Sequence, residues 1–345
     1  TSELIRKHAP DCWFPLNHAQ AMREHPRLQL RALCDLDPQA LARAASAHGV
    51  AATYTDFRRL LEEARPRLLG IATRTIGRAA AIRDAVDLGV QALHVEKPLC
   101  NSVRELAALE STFERSGVFV TYGALRRHFA PFLAARALAE SGRHGPLREI
   151  RVNLGSGTLF WTHPHSVDLL LFGAGDRAVA GVQARLADVS TAISSWDVLT
   201  DPRVVSAAIH FDDGVVGHIT QALGSDFVLS CAEAEIAVRA DGGAIEVYAA
   251  PPGDIYPRAA PLEQAELAPA GPTGSLAPIS QLVACLDQDS AAFAANAIVK
   301  RDLLLGQRIL FAMLQSHLME SRLVDPARLD DAIFAPPSGW PAPTS

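Results

Sequence analysis

Residues 92–98, Ala-Leu-His-Val-Glu-Lys-Pro, hold the charged pair that is best placed for chemistry. Their apolar first half predicts a buried strand, and Ser102 with a glutamate three residues later predicts the capped start of a helix. Glu96 and Lys97 therefore lie at the carboxyl end of a strand, the edge where open α/β sheets bind ligands. Pro98 cannot donate to a sheet ladder, and the bond before it is of the kind that can be cis.

A second group of ionisable residues opens a predicted helix. Pro164 suits the first turn of this helix, and His165 and Asp168 lie one turn apart on the same face. The pair is either functional or a histidine at a helix start that a carboxylate caps. We predict no metal site with His163, because the side chains of His163 and His165 diverge by about two hundred degrees around the helix.

Asp35 closes the predicted buried strand 28–34. A carboxylate at such a position accepts both hydroxyls of an adenosine ribose and repels a 2′-phosphate, so it favours NAD over NADP. The alternative is that Asp35 caps the next helix. Asp37 suits that role better, because Pro38 follows it at the first helical position.

Helical and strand patterns alternate around these residues, which predicts a parallel sheet with right-handed crossovers. The predicted helices are 38–48, 56–64 and 77–88, and the predicted strands beyond 28–34 are 68–75, 92–95 and 118–121.

The Glu-Lys-Pro tripeptide after a βα repeat, together with its spacing to Asp35 and His165, resembles the Gfo/Idh/MocA oxidoreductases, the family of glucose-fructose oxidoreductase and inositol dehydrogenase. The resemblance implies that Lys97 and His165 meet at a substrate hydroxyl. It further implies cofactor contacts by Asp35, Ala72, Thr73, Glu96, Lys97 and Pro98, and substrate contacts by Asp168, Tyr122 and Arg127.

Two departures from the family pattern stand out. The family fold begins with a strand and a Gly-rich turn that binds pyrophosphate, yet the first glycine here is Gly49. Either the strand and its glycines lie before Thr1, which we favour, or the phosphate site has been rebuilt. In addition, Trp161 stands where the sugar and inositol dehydrogenases usually carry an aspartate four residues before the histidine. We predict that its ring is a stacking surface for the substrate.

After residue 142 the pattern changes to period-two strands, which predicts a large, mostly antiparallel sheet. Helices should cover one face of it. The apolar strands within 204–223 suggest that a second subunit covers the other face, because large exposed apolar surfaces are rare in monomers. A loop is predicted at 251–274, and the closing helices at 276–286 and 301–322.

Composition excludes several classes of protein. The net charge is −6 and no block of Lys or Arg stands out, so neither nucleic acid nor an anionic membrane is a predicted partner. The longest apolar runs are far shorter than a membrane span, and we see no signal peptide at the start. Five scattered cysteines without a CxxC pair favour a reducing cytoplasm.

The predicted fold class is α/β, with a Rossmann-type nucleotide domain at 1–125, an α+β substrate and oligomerisation domain at 126–330 and a Pro-rich tail at 331–345. The predicted function is an NAD(H)-dependent oxidoreductase that transfers hydride to or from a secondary alcohol or ketone of a sugar, cyclitol or related polyol. The predicted assembly is a dimer or tetramer. The alternatives are a reductase of another carbonyl compound and a non-catalytic nucleotide-binding regulatory or scaffold protein on the same fold.

Overall fold

The computed structural model describes residues 7, 9–191, 196–251, 253–261 and 271–335. The first part of the chain alternates short parallel strands with helices, which confirms the predicted βα alternation. The strands are β1 (Ala32–Cys34), β2 (Ala52–Tyr54), β3 (Leu68–Ile71), β4 (Ala92–Val95) and β5 (Phe119–Tyr122). The helices are α1 (His18–Glu24), α2 (Pro38–His48), α3 (Phe57–Ala64), α4 (Arg78–Asp87) and α5 (Val103–Ser116).

Side-chain caps start α2 and α5 where the sequence predicts them. At the start of α5, the Ser102 hydroxyl accepts the N–H of Glu105 at 3.1 Å, and the Glu105 carboxylate accepts the N–H of Asn101 at 2.8 Å. At the start of α2, the Asp37 carboxylate accepts the N–H of Gln39 at 2.8 Å. These bonds satisfy backbone donors that a helix leaves unpaired, and they fix the loops at the carboxyl ends of β1 and β4.

The parallel strands form two separate sheets, β1–β2 and β3–β4–β5, instead of the single sheet that the sequence predicts. In the Rossmann order 3-2-1-4-5-6, the first strand lies between the second and the fourth. With β1 as the second strand and β3 as the fourth, the described strands divide into the two and the three that flank the place of the first strand in this order. In the described part of the chain, β1 and β3 each have one edge without a strand partner.

The second part builds a sheet of eight strands in the order β13-β12-β11-β10-β6-β9-β8-β7, in which only β6 and β9 pair in parallel within the described residues. This confirms the predicted mostly antiparallel sheet. Helices α6 (Ala130–Glu140), α7 (His163–Ala174) and α9 (Ser290–Leu318) pack against it, and α8 (Leu276–Leu286) packs on β4 and β5. The strands are β6 (Leu147–Asn153), β7 (Val179–Ala187), β8 (Arg203–Phe211), β9 (Val216–Thr220), β10 (Asp226–Cys231), β11 (Ala234–Arg239), β12 (Ala244–Ala249) and β13 (Arg258–Pro261).

The outer face of this sheet is polar. Along β6 the buried Ile150 alternates with the half-buried Glu149 and Arg151, and Arg151 forms ion pairs with Glu149 and Glu235. The strands within 204–223 alternate in the same way, with buried side chains such as Val204, Ile209 and Ile219 between half-buried or exposed ones. The prediction of an apolar outer face is therefore wrong. Side chains alternate between the two faces of a strand, so apolar and polar residues lie on opposite sides of the sheet.

The sequence prediction missed β2, β10 and β13. Strand β10 is buried along almost its whole length, so it lacks the alternation that marks a half-buried strand. Helix α9 begins at Ser290, eleven residues before its predicted start. Within the predicted loop and tail, residues 252, 262–270 and 336–345 lie outside the described residues. None of the helices in the described ranges is long and apolar enough to cross a bilayer.

Candidate active site

Lys97 lies directly after β4, where the chain turns at a cis Lys97–Pro98 peptide bond. The Lys97 ammonium donates a hydrogen bond to the backbone carbonyl of Trp161 at 2.6 Å. It also lies 4.0 Å from the centroid of the Trp161 ring, within the range of a cation–π contact. The structure therefore joins the end of β4 to the residues before α7, two segments that the sequence singled out separately.

The two predicted catalytic residues share one electrostatic environment. Burial lowers the pKa of Lys97 to about 8, against the opposing charge of Glu96. Burial also lowers the pKa of His165 well below its usual value, and the positive charge of Lys97 adds to this shift. His165 is therefore neutral at pH 7, and its Nδ1 is buried without a partner among the described residues. A neutral imidazole beside an ammonium of lowered pKa can share a substrate proton.

Glu96 is held by a histidine from the first helix of the chain. His18 Nε2 lies 3.2 Å from Glu96 Oε1, and the other carboxylate oxygen accepts the N–H of Lys97 at 3.3 Å. Burial works to raise the Glu96 pKa, but the hydrogen bond and charge of His18 lower it to about 2. Gly123 gives the carboxylate room, because a Cβ there would come within 2.7 Å of it. Glu96 is thus a fixed negative charge beside Lys97.

Arg78, which the sequence analysis missed, ties together two strand ends. Its buried guanidinium, at the start of α4, donates to the carbonyl oxygens of Thr73, Glu96 and Pro98. These carbonyls belong to the loops after β3 and β4, so one side chain fixes both predicted cofactor-binding segments. Its position could have marked it in the sequence. A cation in the first turn of a helix opposes the helix dipole, so such a residue needs another reason to be there.

Three residues predicted to bind substrate form a buried polar network. Asp168 accepts hydrogen bonds from the Tyr122 hydroxyl at 2.9 Å and from Arg127 Nε at 3.1 Å. Arg127 also donates to Asp302 of α9 at 3.0 Å. Arg127, Tyr122 and Asp168 are each at most 5% exposed, so this network joins β5, α7 and α9. Contact of these residues with substrate stays a prediction.

Asp201 is a further residue that the sequence analysis missed. Its two carboxylate oxygens accept the backbone N–H groups of Phe160 at 2.8 Å and Trp161 at 3.0 Å. Burial raises the Asp201 pKa, and these backbone hydrogen bonds oppose the shift. Asp201 thereby holds the segment that places Trp161 over Lys97. No local pattern marks a carboxylate whose partners lie forty residues earlier.

The predicted cofactor-binding residues lie at the carboxyl ends of three parallel strands, β1, β3 and β4. Asp35 is exposed after β1; one of its oxygens accepts the Asp37 N–H at 2.9 Å, and the other remains for a ribose hydroxyl. Leu36 is 87% exposed and Ile76 is 69% exposed, which suits an adenine ring. At the other end of the site, Ala72 and Thr73 follow β3, and Glu96 to Pro98 follow β4. Described residues offer no Gly-rich turn for the pyrophosphate.

No cluster of three or more His, Cys, Asp or Glu side chains in the described residues is arranged to hold a metal ion.

Residues 13–124 match the family model of the Gfo/Idh/MocA oxidoreductases, described as an oxidoreductase family with an NAD-binding Rossmann fold. This match confirms the resemblance that the sequence analysis identified. It also confirms NAD as the cofactor at the level of the family.

Several known proteins are similar to this chain. It is 27% identical over 213 residues to 1-carboxy-3-chloro-3,4-dihydroxycyclohexa-1,5-diene dehydrogenase of Comamonas testosteroni; the alignment covers 56% of this chain and 51%, or about half, of that relative. An Agrobacterium radiobacter oxidoreductase, solved with NAD+, L-tartaric acid and magnesium, has a TM-score of 0.67 and 20% identity over 92% of this chain and 96% of its own. The WlbA dehydrogenase of Chromobacterium violaceum, solved with NADH and UDP-GlcNAcA, has a TM-score of 0.70 and 16% identity over 89% of this chain and 91% of its own. At these identities the two solved structures show the fold alone.

Proposed function

We propose that this chain is an NAD(H)-dependent dehydrogenase of secondary alcohols on sugars, cyclitols or related polyols, because residues 13–124 match the NAD-binding Rossmann family model of the Gfo/Idh/MocA oxidoreductases. The observation that carries this proposal is the placement of Lys97 after β4, half-buried, with a pKa near 8 and within reach of the residues before α7. A lysine that was fully exposed on the surface would keep its usual pKa.

In the proposed mechanism, Lys97 shares the proton of the substrate hydroxyl and stabilises the negative charge that develops on its oxygen. His165 is the partner acid or base, and its neutral ring accepts the second hydrogen bond. Asp35, Thr73 and the Glu96–Pro98 segment would hold NAD, which supplies or accepts a hydride at its nicotinamide ring.

Trp161 points to a ring-shaped substrate. Trp161 is 53% exposed although it belongs to the candidate site, so its ring can stack on a sugar or cyclitol ring. The relative from Comamonas testosteroni is named for a cyclic diol, which agrees with this substrate class. A panel of sugars and cyclitols with NAD+, followed by NADH absorbance, tests the proposal. Nucleotide binding with no turnover of any alcohol or ketone would favour the non-catalytic alternative.

On cofactor choice, we expect the wild-type protein to bind NADH more tightly than NADPH by ~1–3 kcal/mol at low salt, because the Asp35 carboxylate repels a 2′-phosphate. In the Asp35→Ser variant this preference should largely disappear. Fluorescence titration with both nucleotides measures it. Asp56→Asn is the control. Asp56 is another carboxylate in front of a helix, since it caps α3 as Asp37 caps α2, and its loss should leave the preference for NADH unchanged. Equal binding of NADH and NADPH by the wild type would contradict the proposed role of Asp35 in selecting NADH.

On assembly, we propose a homo-oligomer formed through the polar outer face of the large sheet. Acidic and basic side chains alternate on that face; Arg239 pairs there with Asp226 and Glu246, as Arg151 pairs with Glu235. Sedimentation at micromolar concentration should show a dimer or tetramer that dissociates as salt is raised. A monomer at low salt would contradict this arrangement.

We also propose a domain boundary near residue 125, where β5 has ended and the chain enters the part that builds the large sheet. A cytoplasmic location is proposed from the cysteines, since all five are free thiols.

A further inference from the structure

Arg126 lies in the short 3-10 helix Arg126–His128 that follows β5, the strand beside β4. Its side chain is buried, with 8% of the residue exposed. Nε and Nη2 donate to the two carboxylate oxygens of Asp241 at 2.5 and 2.9 Å, and the guanidinium lies 4.6 Å from the centroid of the Trp13 ring. One edge of the guanidinium is therefore fully engaged.

The other edge is not. Nη1 of Arg126 is buried and has no hydrogen-bond partner among the described residues. Because a buried donor without a partner is costly, such a group calls for an explanation. The ion pair with Asp241 does not explain it, because that pair is already bidentate and makes no use of Nη1. The spare donor therefore suits a ligand.

The short helix that carries Arg126 begins three residues after Gly123, which lies against the Glu96 carboxylate, so this donor lies near the candidate catalytic residues. The charge of Arg126 helps to lower the pKa of both Lys97 and His165. The nearby carboxylates already have partners, because Glu96 is held by His18 and Asp201 by backbone N–H groups. An anion that enters the site thus meets two cationic side chains and no free carboxylate among these residues.

We propose that Arg126 Nη1 binds a carboxylate of the substrate, so that the substrates are hydroxy acids or polyols that carry a carboxylate group; this rests on the dehydrogenase function proposed above. The carboxylate lies at Arg126 while the hydroxyl to be oxidised lies at Lys97. Arg126 is then a specificity-determining residue, and the bidentate pair with Asp241 keeps its free edge aimed at the substrate.

Matched pairs of acid and amide test this assignment. The probes are D-glucuronate with D-glucuronamide and L-tartrate with its diamide, because each amide is nearly isosteric with its acid but neutral. Dissociation constants come from quenching of tryptophan fluorescence in the NADH complex, and kcat/KM comes from NADH absorbance. We expect the wild type to bind at least one acid roughly 10- to 100-fold more tightly than its amide.

Two variants separate recognition from structure. Arg126→Lys keeps a charge for Asp241 but loses the guanidinium fork, so the preference for the acid should fall below about threefold, because acid binding weakens more than amide binding. Asp241→Asn weakens the same ion pair but keeps Nη1, so the preference should survive. No acid preference in the wild type, or equal loss of preference in both variants, would overturn the assignment.

The two proposals fail in different ways. If the acids bind in an Arg126-dependent manner and no probe or panel alcohol is oxidised, the anion site stands and the dehydrogenase function fails. If acids and amides are bound and oxidised equally well, the dehydrogenase function stands and the anion site fails.

Discussion

The Lys97→Met variant is expected to fold and to bind NADH, but to transfer hydride about 10²–10⁴ times more slowly than the wild type, the range for losing a positioned acid or base. Methionine keeps much of the volume of lysine and removes both the charge and the exchangeable proton. A smaller loss is expected for His165→Asn, because water can replace a peripheral proton acceptor. Single-turnover rates, measured after circular dichroism has shown the variants to be folded, test this ranking.

The pH dependence gives an independent check. Since alcohol oxidation requires Lys97 to accept the hydroxyl proton, kcat/KM for oxidation should rise with pH and level off above about 8, where Lys97 has lost its own proton. For ketone reduction, which needs the protonated form, kcat/KM should fall over the same range. Both inflections should vanish in Lys97→Met.

Lys300→Met is the matched control for this experiment. Lys300 is also a half-buried lysine, and it donates to the carbonyl of Val118 at 3.2 Å. Its loss should leave the hydride-transfer rate within about threefold of the wild type. If Lys97→Met behaved like Lys300→Met, there would be no active site at the end of β4.

Features that depend on neighbouring residues were predictable from the sequence. Helix α2 has its predicted bounds, because Asp37 and Pro38 start it and Gly49 ends it in the left-handed conformation that glycine adopts easily. The start of α5 was predicted as well, since it begins after its capping serine. Lys97 was likewise placed at the end of β4 by a local change from apolar to charged residues.

Features that depend on distant residues were not predictable from one sequence. Arg78, Asp201 and Arg126 gain their roles from partners that local patterns do not mark, and each partner lies far away in the chain or on another element. The adjacent Arg126 and Arg127 look alike in sequence. The structure separates them, since Arg127 is enclosed by carboxylates and Arg126 keeps a free donor.

Replacing Arg127 by methionine should cost about 3–5 kcal/mol of unfolding free energy, the range for breaking a buried ion pair from one side. Asp168 and Asp302 would be left as buried carboxylates, and only Asp302 has a second cation, Arg301, at 2.9 Å. The loss should shrink at low pH, because an unpaired buried carboxylate takes up a proton more readily and then carries no charge. Urea denaturation across the pH range measures both effects.

The matched control is Arg59→Met, which breaks an exposed pair with Glu63 one helical turn away and should cost at most about 1 kcal/mol. Steady-state kinetics on folded Arg127→Met protein then decides what the network does. If Arg127 positions α7, and with it His165, kcat should fall while the KM for substrate stays near the wild-type value. A raised KM with unchanged stability would instead support the direct substrate contact that the sequence predicts for Arg127, because a residue that binds substrate can be lost without weakening the fold.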